Sequence, residues 1–209
     1  MKVILINGSP NENGCTKRAL SEVASTLAEN GIEIEHFHIG TSVAACTACY
    51  GCVKNKDGKC VINKDSVNKF LEKAASADGF VFGSPVYFAS GSGGINCFLD
   101  RAFFVGRHKL FPLKPAAAVV SCRRAGSSAA LDNINKYLTI SAMPVITSHY
   151  WNAVHGSKPE DVEQDAEGMQ IMRALGRNMA WMLKNIEAGK KQGIELPQTE
   201  KKVATNFIR

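Results

Sequence analysis

The sequence predicts an α/β fold: a single doubly wound domain with a five-stranded parallel sheet and helices on both faces. Short runs rich in Val, Ile and Phe alternate with amphipathic helical segments from end to end. That alternation is the pattern of strand–helix–strand crossovers, which join parallel strands. The length of 209 residues, 45% of them hydrophobic and 21% charged, suffices for one well-cored domain and is too short for two generous ones.

Lys2 to Ile6 reads as a buried strand, followed by a loop from Asn7 to Cys15. A helix then runs from about Thr16 to Asn30, with apolar positions 19, 20, 23, 24, 27 and 28 on one face and Gly31 as its stop. Ile32 to Phe37 is the second strand, and a cysteine-rich loop follows it. Ser66 to Ala77 reads as a helix, Gly79 to Gly83 as the third strand and Ile95 to Phe104 as a helix. Ala116 to Ser121 is the fourth strand, Ala129 to Leu138 a helix, and Pro144 to Trp151 the fifth strand. The last helix opens at Ser157-Lys158-Pro159-Glu160, where capping-box spacing meets a first-turn proline. It continues to about Glu187 with a break near Gly168, and Trp181 with Met169, Met172, Met179 and Met182 fits its apolar face as core. No repeat or linker divides the chain. The domain is therefore taken as 1–188, and 189–209 as a polar tail that is loose or lies on a partner subunit.

Composition narrows the function. Apolar runs such as Pro115 to Val120 are far short of the roughly 18 residues of a membrane span. The N-terminal apolar stretch is too brief for a signal-peptide core, so a soluble, cytoplasmic protein with no membrane contact is expected. The net charge of +6 is uneven: Arg101, Arg107, Lys109, Lys114, Arg123 and Arg124 stand in a stretch without Asp or Glu. Such a stretch makes a phosphate-facing rim or a solvated face. No basic helix with interleaved aromatics accompanies it, so no nucleic-acid partner is expected.

In a parallel sheet of this kind, ligands bind at the carboxyl ends of the strands, where strand order reverses. The loop after the first strand, Asn7-Gly8-Ser9-Pro10-Asn11-Glu12-Asn13-Gly14-Cys15-Thr16, leads into a helix N-terminus whose free amides and dipole favour an anion. A triphosphate-binding loop is excluded, because five residues separate Gly8 from Gly14 and Cys15 stands where lysine is needed. A Gly-x-Gly-x-x-Gly fingerprint is absent. The neutral donors Ser9, Asn11, Asn13, Cys15 and Thr16 suit a phosphate monoester, and the same residues also make an ordinary turn. The third strand ends in Pro85, Val86, Tyr87 and Phe88, an apolar and aromatic wall for a planar ring. The fourth ends in Ser121-Cys122-Arg123-Arg124-Ala125-Gly126, where Ser121, Arg123 and Gly126 are candidates for a ring's polar edge.

Four of the seven cysteines lie between Cys46 and Cys60. The spacing Cys46-x-x-Cys49-x-x-Cys52, then seven residues and Cys60, suits an iron–sulfur cluster better than zinc, which takes two separated pairs. Reduced or redox-active thiols and zinc remain alternatives. Cys97 reads as a small buried apolar residue. His36 and His38 share one strand face and are assigned no role; His155 is explained equally by loop packing.

Gly8-Ser9-Pro10 with Gly14-x-Thr16, Gly83-Ser84-Pro85-Val86-Tyr87-Phe88 and Phe98-Leu99-Asp100-Arg101 together resemble the flavodoxin-like NADPH-dependent FMN reductase family, from Met1 to about Glu187. The resemblance implies FMN at the strand ends. Its phosphate would lie in the Ser9 to Thr16 loop and its ring against Pro85 to Phe88, with the Ser121 to Gly126 loop on the ring's other edge. It also implies a homodimer or homotetramer. Members of the family often carry Asn where this chain has Cys15. The cysteine spacing resembles the iron–sulfur flavoprotein branch, which implies a 4Fe–4S cluster on Cys46, Cys49, Cys52 and Cys60. The gap to Cys60 is longer than that branch's.

The expected function is an FMN-dependent oxidoreductase in which NAD(P)H reduces the bound flavin and electrons pass to a small-molecule acceptor such as a quinone or flavin. One alternative is an iron–sulfur flavoprotein that relays electrons from a ferredoxin-like donor to an oxidant. An alternative of another class is a non-catalytic metal-binding module, which leaves the aromatic tip and phosphate-type loop unexplained. Hydride transfer needs no side-chain acid or base, so no catalytic residue is named.

Overall fold

The computed structural model describes residues 1–198, 200, 203–205 and 207. Its centre is β1 (Lys2–Asn7), whose Val3, Ile4, Leu5 and Ile6 are fully buried because parallel partners flank it on both sides and helices cover both faces. β2 (Glu33–His38) forms one edge, and among its side chains only Phe37 is fully inside. On the other side lie β3 (Gly79–Tyr87), β5 (Ala116–Cys122) and the short β6 (Ala153–His155), giving the order β2-β1-β3-β5-β6. The order reverses at β1, so the crevice expected of such a sheet opens between the ends of β1 and β3. A two-residue strand, β4 (Ser90–Gly91), folds back antiparallel on the tip of β3.

The helices divide between the two faces. α3 (Val67–Ala74), α4 (Gly93–Gly106) and α5 (Ser127–Ile140) cover a phenylalanine-rich layer in which Phe103 stacks on Phe111 at 4.5 Å. α1 (Cys15–Glu29), α6 (Pro159–Gln164) and the long α7 (Ala166–Lys191) cover an aliphatic and methionine layer that includes Met169, Met172 and Met179. Aromatic rings on one side and flexible thioethers on the other fill the two layers differently. A short helix, α2 (Gly51–Asn55), lies inside the cysteine segment and carries no fully buried residue.

The fifth strand is displaced from its expected place. Pairing with β5 begins at Val145, where an isolated bridge joins Ala116, but the regular ladder runs only through Ala153–His155. The Ser148 hydroxyl donates to the Tyr150 carbonyl at 2.7 Å and hydrogen-bonds the Asn152 side chain at 2.9 Å, bending the chain away from the sheet. Asn152 Nδ2 then donates to the Ala118 carbonyl, so a side chain takes a ladder position. Trp181 is 65% exposed on the outer face of α7, and Cys97 is only half-buried; neither is the core residue expected. α7 runs through to Lys191, beyond the expected helix end near Glu187, and its break from α6 falls at Asp165, whose carboxylate accepts from the Gly168 amide. Of the tail taken to begin at residue 189, positions 199, 201, 202, 206, 208 and 209 lie outside the described residues. Among the described residues, no helix is long and apolar enough to cross a membrane.

Candidate functional site

The loop after β1 is built from its own polar side chains. Asn7 Oδ1 accepts from the Ser9 amide at 3.0 Å, Ser9 Oγ from the Asn11 amide at 3.1 Å, and Asn11 Oδ1 from the Asn13 amide at 3.2 Å. This succession of Asn and Ser turns fixes the loop without any regular structure. His38, at the end of β2, adds a tie from outside. Its Nε2 donates to the Ser9 carbonyl at 2.8 Å, which requires the proton on Nε2 and leaves Nδ1 3.8 Å from the Glu12 carboxylate. Gly8 is demanded by space: its amide donates to the Gly83 carbonyl, and a Cβ there would sit 2.8 Å from that oxygen and from Ile95.

Helix α1 begins with Gly14 as N-cap, with no side-chain cap and no acidic residue in its first turn. Its first amides and dipole are therefore open to an external anion. Thr16 Oγ1 and Ser121 Oγ share a buried hydrogen bond of 2.9 Å, which joins α1 to the end of β5.

The tip of β3 is a tight hairpin. Val86 pairs with Gly91 and Tyr87 with Ser90, leaving Phe88 and Ala89 as a two-residue turn with φ of +49 and +59. Positive φ at both central positions is the primed turn that matches strand twist, here made by residues with a Cβ. Phe88 is consequently thrown outward and fully exposed, while Tyr87 is half-exposed. Gly126, at φ +86, lets the start of α5 meet this hairpin, since a Cβ would lie 2.9 Å from Ala89 Cα.

These elements enclose an open cleft of about 400 Å³. Of the residues expected to form a site, Ser9, Asn11, Cys15, Thr16, Pro85, Val86, Tyr87, Ser121 and Arg123 line it. Asn13, Phe88 and Gly126 do not: Asn13 is taken up in its turn, Phe88 stands at the hairpin tip, and Gly126 is a packing contact between loops. Gly14, Cys122, Gly156, Ser157, Lys158 and Pro159 line it without having been anticipated. Gly156, Ser157 and Lys158 form the β6–α6 connection and Pro159 opens α6, a stretch that the sequence marks as a helix start. It reaches the cleft because Gly156 donates to the Cys122 carbonyl at 3.0 Å and Cys15 Sγ contacts the Gly156 carbonyl at 3.6 Å. Arg123 and Lys158 are the charged side chains on the lining, with no carboxylate among them. Burial pushes the Cys15 and Cys122 thiols up, so both stay neutral near pH 7 and repel no anion. The cleft can take an anion at α1 and a planar group against Tyr87.

A second pocket, about 80 Å³, has Cys46, Cys49, Cys52 and Cys60 on its wall beside Tyr50 and Phe104. All seven cysteines are unpaired. Among the described residues, no three His, Cys, Asp or Glu side chains lie close enough together to hold a metal ion. The Gly51 amide and the Thr47 hydroxyl hold the Cys49 thiol below its usual range, whereas burial, helped by Cys60 and Cys49, pushes Cys52 up. The basic stretch from Arg101 to Arg124 does not form one rim. Arg101 is buried against Asp65, Arg107 lies over the Phe104 ring at 5.4 Å, and Lys114 donates to the Ala74 carbonyl, leaving Arg123 from this stretch on the cleft.

Residues 1–158 match the family described as NADPH-dependent FMN reductase. An iron-sulfur flavoprotein of Methanocaldococcus jannaschii is 33% identical over 195 residues, which is 90% of this chain and all of that protein. The fold is similar to that of RosB, solved with a bound riboflavin-5'-phosphate derivative: TM-score 0.70 at 14% identity, over 100% of this chain and 94% of that one. It is also similar to a flavodoxin from the domain Archaea, with TM-score 0.60 at 17% identity over 88% of this chain and 99% of that one. The chain belongs to the NADPH-dependent FMN reductase family; it is an FMN-dependent oxidoreductase with a flavodoxin-like fold. A non-catalytic metal-binding module is thereby displaced as a reading.

Proposed function

We propose that FMN binds in the cleft at the ends of β1, β3 and β5, that NAD(P)H reduces it, and that a small molecule such as a quinone or flavin accepts the electrons. One observation carries the placement: the uncapped N-terminus of α1 opens into a cleft whose charged lining side chains are Arg123 and Lys158 alone. A phosphate dianion is favoured there by dipole, amides and neutral hydroxyls together. Bound FMN supplies a ring that accepts a hydride and passes electrons on.

The chain's own residues do the rest. Ser9, Asn11 and Thr16 offer hydrogen bonds at the phosphate end, with the loop pre-set by Asn7 and His38 so that little ordering remains on binding. Pro85, Val86 and Tyr87 present an apolar wall to one edge of a ring, and Arg123 with Lys158 raises the positive potential at the mouth. The test is anaerobic mixing of the flavin-loaded protein with NADPH or NADH. Loss of the oxidised flavin absorbance within seconds to minutes is expected. A flavin that only dithionite or a protein donor reduces contradicts the nicotinamide-linked reading.

A second reading has its own support. The Methanocaldococcus jannaschii relative is named an iron-sulfur flavoprotein, and the four cysteines here share one pocket. A single tetrahedral ion would need its sulfurs about 3.8 Å apart, given Zn–S bonds of about 2.3 Å. A cubane distributes its four thiolates over four irons and needs no such convergence. One of these sulfurs, Cys60, also accepts an N–H bond, from Arg101, as thiolates on a cluster do. The donor set fits a 4Fe–4S cluster held by Cys46, Cys49, Cys52 and Cys60, with a ferredoxin-like protein as donor. Iron and acid-labile sulfide on anaerobically purified protein decide it: about four irons per chain supports the cluster, and iron near zero removes it. A homodimer or homotetramer is part of the same proposal, supported by the exposed Tyr150, Trp151 and Trp181, and sedimentation velocity tests it. A cytoplasmic location fits seven unpaired thiols.

A further inference from the structure

Arg101 is 1% exposed, a charged side chain placed among the fully buried residues, and nothing in the flavin chemistry uses it. It projects from α4, and every hydrogen bond of its guanidinium goes to the cysteine segment or its flanks. Nη1 donates to the Ala44 carbonyl at 3.2 Å and to Asp65, Nη2 donates to the Ile62 carbonyl, and Nε donates to Cys60 Sγ at 3.3 Å. Ala44 precedes the first of the four cysteines, while Ile62 and Asp65 follow the last. One side chain thus ties both ends of the segment to a core helix.

Asn68, on α3, completes the grip. Its Oδ1 accepts from the Cys60 amide at 2.8 Å, and its Nδ2 donates to the Cys60 carbonyl at 2.8 Å. Cys60 is therefore fixed through its backbone and its sulfur, whereas Cys46 and Cys49 are exposed. A merely structural Arg–Asp pair would need no sulfur, because Asp65 and the two carbonyls already satisfy the Nη groups. The Nε proton is aimed at the one thiol separated from the other three by a long gap.

Resting on the cluster reading above, we propose that Arg101 is the positioning residue that presents Cys60 as the fourth thiolate, and that its Nε–H···Sγ bond raises the cluster's reduction potential. A donor on a ligating sulfur withdraws electron density and so favours the more negative, reduced cluster. Lysine keeps the charge at this position but lacks the planar fork that reaches sulfur, carboxylate and carbonyls together.

The test uses the full chain, reconstituted anaerobically with ferrous iron and sulfide, in wild-type and Arg101→Lys forms. Iron per chain and the cluster midpoint potential, followed by electron paramagnetic resonance, are read for both. Wild-type protein should take about four irons, and Arg101→Lys should shift the potential to more negative values or lose iron while wild-type protein keeps it. Wild-type protein that takes no iron sinks the cluster reading itself. Wild-type protein with a cluster and an Arg101→Lys potential unchanged from it overturns the role of Arg101 alone. Should the variant not fold, wild-type protein grown on nitrogen-15-labelled arginine gives the answer. Pulsed resonance of the reduced cluster should then show coupling to an arginine nitrogen, since Arg101 is the arginine on that pocket; absence of coupling overturns the proposal.

Discussion

The buried hydrogen bond between Thr16 and Ser121 ties the anion-facing end of α1 to β5. Thr16→Val preserves the side chain's shape, removes this bond and leaves the Ser121 hydroxyl without its partner. FMN affinity should fall about fivefold, on the order of 1 kcal/mol for one hydrogen bond, and calorimetric titration reads it. Unchanged affinity would take Thr16 out of the site. Local chemistry made Ser9, Asn11, Cys15 and Thr16 legible in the sequence, because a glycine-rich polar loop before a helix is a local pattern. His38 was not legible: its bond to the Ser9 carbonyl comes from a neighbouring strand, and only the β1–β2 register brings it there. Lys158 stayed hidden because its place depends on where the last strand ends.

At the scale of the element, the β3–β4 hairpin holds two residues with a Cβ in the left-handed region, which costs about 1–2 kcal/mol for each. Replacing Phe88-Ala89 by Asn-Gly should raise stability by about 1 kcal/mol, seen as a higher urea midpoint with an unchanged slope. No gain would mean that the left-handed turn at Phe88 and Ala89 carries no such cost. The aromatic run at this strand end was readable, but the turn was not, since nothing in Phe88-Ala89 resembles the Asn-Gly signal of such hairpins. Phe88 therefore seemed part of the ring wall and is instead its outermost point. The last strand was misplaced for a comparable reason. Pro144 to Trp151 has strand-like residues, yet Ser148 and Asn152 divert the chain through side-chain bonds that no periodicity reveals.

Across the whole molecule, strand–helix alternation identified the sheet because parallel strands covered on both faces must be apolar along their central length, as Val3 to Ile6 of β1 and Ala116 to Val120 of β5 are. The two core layers are also stitched to their neighbours by charge. Glu22 on α1 accepts from Arg173 on α7 at 2.6 Å, and Asp65 pairs with Arg101 beneath the cysteine segment. Burial alone would push both carboxyls up. Arg173 and Arg18 around Glu22, and Arg101 with the Ala44 and Val67 amides around Asp65, outweigh it and hold both below the usual range. A carboxyl lowered in the folded state stabilises above its unfolded value, near pH 4, and that contribution fades as pH falls through the lowered values. Thermal midpoints should therefore be flat from about pH 7 to about pH 5 and drop below about pH 4. Glu22→Gln should lower the neutral plateau and make the acid drop shallower; an unaltered pH profile would show that the Glu22 pairs do not contribute.

The FMN site depends on a phosphate held at the N-terminus of α1, and titrating the flavin-free protein with FMN and with riboflavin tests this most directly. One FMN per chain is expected, bound about a hundredfold more tightly than riboflavin, as two charge-assisted hydrogen bonds to a phosphate would give. Equal affinity for the two flavins would contradict the phosphate site and, with it, the placement of FMN in this cleft.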